Sequence, residues 1–287
     1  MRAPAKINLS LRVLGVSNDG YHDLRTVFQS IDLHDTLTFE QSPGPFRLIC
    51  SDRSCPEGET NLVWRAADAI ARAAGGAGPP RDIAIRLEKR IPMQAGLGGG
   101  SSDAAAVLRG FAALWGVQIP RERVQAIAAR LGADVPYFLE GGAALGLGRG
   151  DLLFALADPP PAWVALVLHP FGVGTKEAYA WFDARRGPAR QPPPLAARAG
   201  IVVPEAGNDL QAAVAARHPQ IEQTTADLVR AGALYASMSG SGSAVFGLFA
   251  TRVAAARAAR RCALGGRRRA LVVRCLNRAQ YQALARA

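Results

Sequence analysis

Residues 6–13, KINLSLRV, alternate strictly, with Ile7, Leu9, Leu11 and Val13 on one side and Lys6, Asn8, Ser10 and Arg12 on the other. A period of two marks a half-buried strand, so Lys6 and Asn8 share its polar face. A turn signal follows at Asn18-Asp19-Gly20, and strand-like stretches come next at 26–33 and 36–39. ETNLVWRAADAIARAAG predicts a helix from near Asn61 to Gly75. In RDIAIRLEKRIP the alternation returns at Ile83, Ile85 and Leu87.

From position 92 the pattern changes to PMQAGLGGGSSDAAAVL. Behind its glycines, Ala104, Leu108, Phe111 and Trp115 fall at helical spacing, and Ser101 or Ser102 is a natural N-cap. Val124, Ile127, Ala128 and Leu131 form another helical face, closed by Gly132. ADVP follows at once and leaves Asp134 at the junction. The composition shifts near position 155, where DPPPAWVALVLHP leads from a proline-rich hinge into a strand. RRGPARQPPPLAARAG (185–200) reads as a mobile surface insertion. Helix signals recur near Asn208 and over 219–230, and ALYASMSGSGSAVFGLFA reads as strand, glycine-serine turn, strand. A helix at 251–263 and a last strand, ALVVRCL, complete an α/β second half.

A chain of 287 residues suggests two domains, which the hinge divides into 1–155 and 156–287. No apolar run approaches the roughly 18 residues that span a bilayer. MRAPAKINLSLRV has no long apolar region and no cleavage site, so a cytoplasmic protein is expected. Cys50, Cys55, Cys262 and Cys275 form no CxxC pair and no zinc-finger spacing, which points to free thiols. The net charge of +11 is the one feature that points to a polyanion such as nucleic acid. Its arginines cluster only in ARAARRCALGGRRRA (256–270), without interleaved aromatics. A solvated basic surface explains them better than a nucleic-acid site.

Strand, glycine loop, serines and helix together make an anion site. A helix N-terminus presents free N–H groups, and glycines let the backbone wrap a phosphate closely. The Walker pattern GxxxxGK[ST] and a strict GxGxxG are both absent. The plain alternative is a flexible connection, but the flanking strand, helix and serines favour phosphate.

PMQAGLGGGSSDAA resembles the P-x-x-x-G-L-G-x-x-S-S loop of the galactokinase, homoserine kinase, mevalonate kinase and phosphomevalonate kinase superfamily, the GHMP kinases. PAKINLSLRV and MSGSGSAVFGLF (238–249) resemble two further motifs of that superfamily, in the same order. DGYH and LGADVPYFLEGGAALGLGRGD are similar to one branch of it. That branch uses ATP to phosphorylate the tertiary 2-hydroxyl of a cytidine diphosphate methylerythritol in the non-mevalonate isoprenoid pathway. The resemblance implies a two-domain α/β (α+β) fold, with an N-terminal domain like that of ribosomal protein S5 and a ferredoxin-like C-terminal domain.

It also implies roles. Pro92, Met93, Gln94 and Ala95 lead into Gly96, Leu97, Gly98, Gly99 and Gly100, which with Ser101 and Ser102 would wrap the ATP phosphates. Ser102 would stand nearest to Mg2+. Asp134 would be the general base, paired with Lys6. Asn8 would meet the substrate hydroxyls. Tyr21, His22, Thr175 and Tyr179 would hold the cytidine half, with cytosine between the two tyrosines. Gly240 and Gly242 would turn near the substrate phosphates. The bland readings are a capping Asp134, a solvated Lys6, a core Tyr179 and a plain hairpin at 240–242. A sister kinase for homoserine or mevalonate, and a basic RNA-binding protein, remain as alternatives, and the sequence leaves monomer and homodimer open.

Overall fold

The alternation at 6–13 extends both ways. Strand β1 (Arg2–Val16) pairs antiparallel with β2 (His22–Pro45), which joins the stretches expected at 26–33 and 36–39 into one strand. The computed structural model describes all residues except 18–19, 116–118, 186–195, 199–200, 204–205 and 265–267. The turn at Asn18-Asp19 and most of the expected 185–200 insertion therefore lie outside the described residues.

Seven strands form the first sheet. β3 (Arg47–Cys50), β4 (Arg81–Glu88) and β10 (Gly207–Asn208) join it in the order β10-β1-β2-β4-β3. The hairpin of β5 (Ala143–Gly148) and β6 (Leu152–Ala155) pairs with the first half of β2. β7 (Trp163–Leu168), β11 (Tyr235–Met238), β12 (Val245–Phe249) and β13 (Arg269–Arg274) form a second sheet, ordered β11-β12-β7-β13. Among the described residues, β8 (Ala196–Arg198) and β9 (Ile201–Val203) pair only with each other.

Period-two alternation decides how the sheets stack. Val164, Leu166 and Leu168 on β7 share a core with Ile7 and Leu9 of β1 and Phe246 of β12. Ala165 and Val167, pointing the other way, meet the second helical layer. That layer contains α5 (Thr175–Ala184), α6 (Gln211–Arg217), α7 (Gln220–Arg230) and α8 (Arg252–Ala263). On the far face of the first sheet lie α1 (Leu62–Ala73), α2 (Gly99–Trp115), α3 (Arg121–Leu131) and the short α4 (Tyr137–Glu140). The result is an α/β fold of four layers, helices outside and two sheets within.

Two local expectations need correction. β1 is not half-buried: Lys6, Asn8 and Ser10 are 4 %, 2 % and 3 % exposed. Its polar face is covered from above by the glycine loop and the turn after β11. Nor does a serine cap α2. The helix begins at Gly99, and its first internal bond runs from the Ser102 N–H to the Gly98 carbonyl. Gly98 therefore holds the N-cap position, with no side chain to satisfy the N–H groups behind it. The start of α1 agrees with the sequence: Asn61 caps it, its side chain accepting from the Val63 N–H at 2.9 Å. All four cysteines are free. Among the described residues no helix is long and apolar enough to cross a membrane.

The chain ends in a helix the periodicity did not announce. α9 (Arg278–Arg286) opens with a capping box of Asn277 and Gln280 and returns to the first sheet. Its Tyr281 is 1 % exposed, fills space that a Cβ at Gly141 would occupy, and donates its hydroxyl to the Phe138 carbonyl at 2.5 Å. Arg109 donates to the same carbonyl. Tyr281→Ala should therefore cost about 3–5 kcal/mol, as large aromatic deletions from a core do. Tyr281→Phe should cost only about 1 kcal/mol, because Arg109 keeps the carbonyl satisfied. Urea unfolding of the two variants checks this, and equal losses would contradict it.

Candidate active site

Three distant segments of sequence meet at the end of β1. The Lys6 N–H donates to the Leu97 carbonyl at 3.0 Å, which fastens the glycine loop to the strand. The Ser239 hydroxyl donates to the Gly96 carbonyl at 2.8 Å and accepts the Asn8 N–H at 3.2 Å. The Ala244 N–H donates to the Ala95 carbonyl at 3.1 Å. A Cβ on Gly96 would overlap the Ser239 carbonyl oxygen, and φ there is +74°. Gly98 has φ +71°, and a Cβ there would lie 2.6 Å from the Phe138 ring. Packing thus requires both glycines. Gly100 differs: its Cβ would meet only Leu62, at 3.8 Å.

Lys6 is the charge at this junction. Its Nζ donates to Asn8 Oδ1 at 2.6 Å, lies 3.3 Å from Asp134 Oδ2, and sits 5.4 Å from the centre of the Phe28 ring. The Lys6 side chain is 5 % exposed and that of Asp134 32 %. Asp134 hangs from the link between α3 and α4, so the pair has a buried cation at its base and a carboxylate at its mouth. Asn8 is completed by its Nδ2, which donates to the Thr26 hydroxyl at 2.7 Å. Ser102 is fully buried, and its hydroxyl donates to the Pro4 carbonyl at 2.7 Å. In this arrangement it props β1, with its oxygen buried beneath the loop.

The other expected residues divide into two groups. Gln94 (φ +52°) accepts the Val173 N–H on its carbonyl at 3.0 Å. Pro92, Met93 and Ala95 line a cleft of about 280 Å3 with Phe171 and Gly172. Thr175 lies 3.3 Å from the Ser241 hydroxyl, between Gly240 and Gly242, both of which have positive φ. One turn further along α5 from Thr175, the His22 ring stacks on Tyr179 at 4.6 Å. Burial, and after it the charge of Asp134, push the Tyr179 phenol up. Tyr21 is 57 % exposed, with the Arg149 guanidinium 5.3 Å from its ring centre. In this arrangement His22 covers a face of Tyr179, where a base between the two tyrosines was expected.

A buried ionic cluster flanks the loop on both sides. Lys89, at the exit of β4, donates to Asp35 on β2 and, at 2.6 Å, to Asp103 Oδ2 on α2. Asp35 also accepts the Ile91 N–H at 2.8 Å. Burial alone would lower the Lys89 pKa, but the Asp103 and Asp35 charges outweigh it and raise it. Burial pushes the Asp103 carboxyl up to about 7, and its Oδ1 has no partner. Neither alternation nor motif spacing singled out this brace. Its signal was present: ionisable residues stand immediately before and after a loop that carries none.

Comparison with known proteins bears on the chain's ancestry. Residues 61–142 match the family model of the GHMP kinases N terminal domain, and residues 198–267 that of the GHMP kinases C terminal domain. A 4-diphosphocytidyl-2-C-methyl-D-erythritol kinase of Geobacter sulfurreducens is 42 % identical, covering 90 % of this chain and 92 % of the relative. A crystal structure of 4-(cytidine 5'-diphospho)-2C-methyl-D-erythritol kinase superposes with a TM-score of 0.79 at 37 % identity, covering 96 % of this chain and 99 % of its own. A mevalonate kinase structure superposes with a TM-score of 0.69 at 12 % identity, covering 96 % and 99 %, and shares the fold.

The Asp103 carboxyl makes a pH prediction. Its folded pKa of about 7 lies above the ordinary 3.8, so folding favours the protonated form. The stability this gives is complete below the ordinary value and is lost as pH rises through about 7. Asp103→Asn keeps an acceptor for Lys89 and removes the surplus charge. Its stability relative to the parent should improve between pH 5 and pH 8. Guanidinium unfolding at both values checks this, and a constant difference would contradict it.

Proposed function

The chain belongs to the GHMP kinases, in the branch of the 4-diphosphocytidyl-2-C-methyl-D-erythritol kinases, and from that premise we propose what it does: it transfers the γ-phosphoryl group of ATP to the 2-hydroxyl of 4-diphosphocytidyl-2-C-methyl-D-erythritol. The reaction belongs to the non-mevalonate isoprenoid pathway, and its place is the cytoplasm. The observation that carries the mechanism is the Lys6–Asp134 pair, 3.3 Å apart beside the glycine loop.

Asp134 accepts the proton of the substrate hydroxyl as that oxygen bonds to the γ-phosphorus, while the bond from phosphorus to the bridging oxygen of ADP breaks. Phosphoryl transfer depends mostly on positioning and charge stabilisation. Lys6 supplies a fixed positive charge for the transferring oxygens, and its burial strengthens that charge's effect. Asn8 holds the ammonium by its Oδ1. The N–H groups of Gly99, Gly100 and Ser101 have no intrahelical acceptor, and the side-chain-free Gly98 leaves them open to the phosphates. Residues 92–95 lead into this cradle, and Gly240 and Gly242 shape the turn beside the substrate phosphates. Tyr21, His22, Thr175 and Tyr179 hold the cytidine half. Mg2+ accompanies the ATP phosphates and offsets their charge. Ser102 as placed is fully buried and does not fit as its ligand, and no step is routed through the ion. The division near residue 155 belongs to the same reading, with ATP and substrate meeting between the lobes.

Homoserine and mevalonate lack a base for the His22–Tyr179 wall. Purified protein should therefore consume ATP with 4-diphosphocytidyl-2-C-methyl-D-erythritol and not with either small acceptor. Turnover of mevalonate or homoserine in its place would overturn the assignment. In Asp134→Asn, kcat should fall by about 10²–10⁴, the usual worth of a general base, while the substrate still binds. Near-parental turnover would remove Asp134 from the chemistry. Gly100→Ala separates phosphate binding from folding. It should stabilise α2 by up to about 1 kcal/mol, as alanine for glycine in a helix does, and raise KM for ATP. Unchanged ATP kinetics would place the phosphates elsewhere.

A further inference from the structure

His22 does more than stack. Its Nε2 lies 2.9 Å from Asp183 Oδ1, and Phe182 meets the edge of its ring at 6.4 Å. The His22 side chain is only 15 % exposed, yet no described residue bonds its Nδ1. Tyr179 and Asp183 are four residues apart on α5, a spacing that puts both on one helical face. A single turn of helix thus supplies the surface under the imidazole and the carboxylate that holds it.

An ionised carboxylate only accepts hydrogen bonds. In a neutral ring held this way the proton sits on Nε2 and the lone pair on Nδ1. We propose that Asp183 is a positioning residue that gives this site its preference for cytosine over uracil, by holding His22 with Nδ1 as the acceptor. The inference rests on the reading that this wall receives the substrate's base. At the edge in question cytosine presents an amino donor, where uracil, like thymine, presents a carbonyl acceptor. An Nδ1 lone pair complements the first and opposes the second. Sites that pair one polar edge and leave the other unpaired discriminate well, because the mismatch strands a desolvated polar group.

The test measures kcat/KM of the full chain for 4-diphosphocytidyl-2-C-methyl-D-erythritol and for its uridine analogue, in the parent, Asp183→Ala and Asp183→Asn. Absence of turnover by the parent on either compound overturns the functional reading, and this inference falls with it. With parental turnover in hand, the cytidine substrate should be preferred by about tenfold or more. Asp183→Ala frees the imidazole to change tautomer and should cut that preference by at least about fivefold, the worth of one hydrogen bond. The loss should lie in KM for the cytidine substrate, with kcat and KM for ATP held within about twofold, as loss of uniform binding requires. Asp183→Asn should lower the preference as far, because an amide can donate to Nε2 and move the proton to Nδ1. Three results overturn the proposal while leaving the kinase reading intact: a parent indifferent to the base, a preference unchanged in both variants, or an equal fall on both substrates carried by kcat. The last would mean that Asp183 only supports α5.

Discussion

The contact between Gly96 and Ser239 is the constraint on which the site depends. The two backbones approach so closely that no Cβ fits on Gly96, and the Ser239 hydroxyl bridges the Gly96 carbonyl to the Asn8 N–H. A shift of the second sheet therefore moves the turn after β11, and with it the loop and the strand that carries Lys6. The sheets are locked together by the Ile7–Leu9 face of β1 against Val164, Leu166 and Phe246. The core between the sheets thus fixes the distance between the glycine loop on one and the turn after β11 on the other. Packing of this density transmits displacement, which suits a reaction that depends on the alignment of two bound molecules.

Charge is distributed around that joint with a division of labour. Lys6 reaches the mouth through Asp134, whereas Lys89 is wholly engaged with Asp35 and Asp103 beneath the loop. Removing one partner of such a buried cluster typically costs about 3–5 kcal/mol, although replacing the whole by apolar groups often does not. The cluster is therefore weak as a source of stability and strong as a means of fixing geometry. It ties the exit of β4 and the first turns of α2 to β2, which leaves the intervening loop little freedom. The unpartnered Asp103 Oδ1 is the cost of placing two carboxylates on one ammonium.

Much of this was legible in the sequence, for reasons particular to each segment. β1 was legible because alternation marks strands, β7 because an apolar run follows a proline-rich hinge, and α1 because Asn61 caps it. The strand-loop-helix frame of residues 81–115 was legible because glycines and serines mark the turn between an alternating stretch and a helical one. The burial of the polar face of β1 was not, since the cover comes from the glycine loop and the turn after β11, both distant in sequence. The β5–β6 hairpin was hidden by glycines: Gly146 lies in the strand because the Phe28 ring occupies the place of its side chain. α9 was announced only by Asn277 and Gln280, too short a signal against its many arginines and alanines. The Lys89 brace and the His22–Asp183 pair depend on tertiary contact, and no periodicity reports that. The basic excess, which raised the possibility of nucleic acid, is outside the three motifs that build the site.

Phosphoryl transfer is assigned to the place where the glycine loop, β1 and the turn after β11 converge. A crystal structure with a non-hydrolysable ATP analogue and 4-diphosphocytidyl-2-C-methyl-D-erythritol is the decisive test. It should show the analogue's phosphates against the N–H groups of Gly99, Gly100 and Ser101, its γ-phosphorus in reach of Lys6 Nζ, and the substrate's 2-hydroxyl hydrogen-bonded to Asp134. A nucleotide bound away from the loop, or a 2-hydroxyl remote from Asp134, would contradict it.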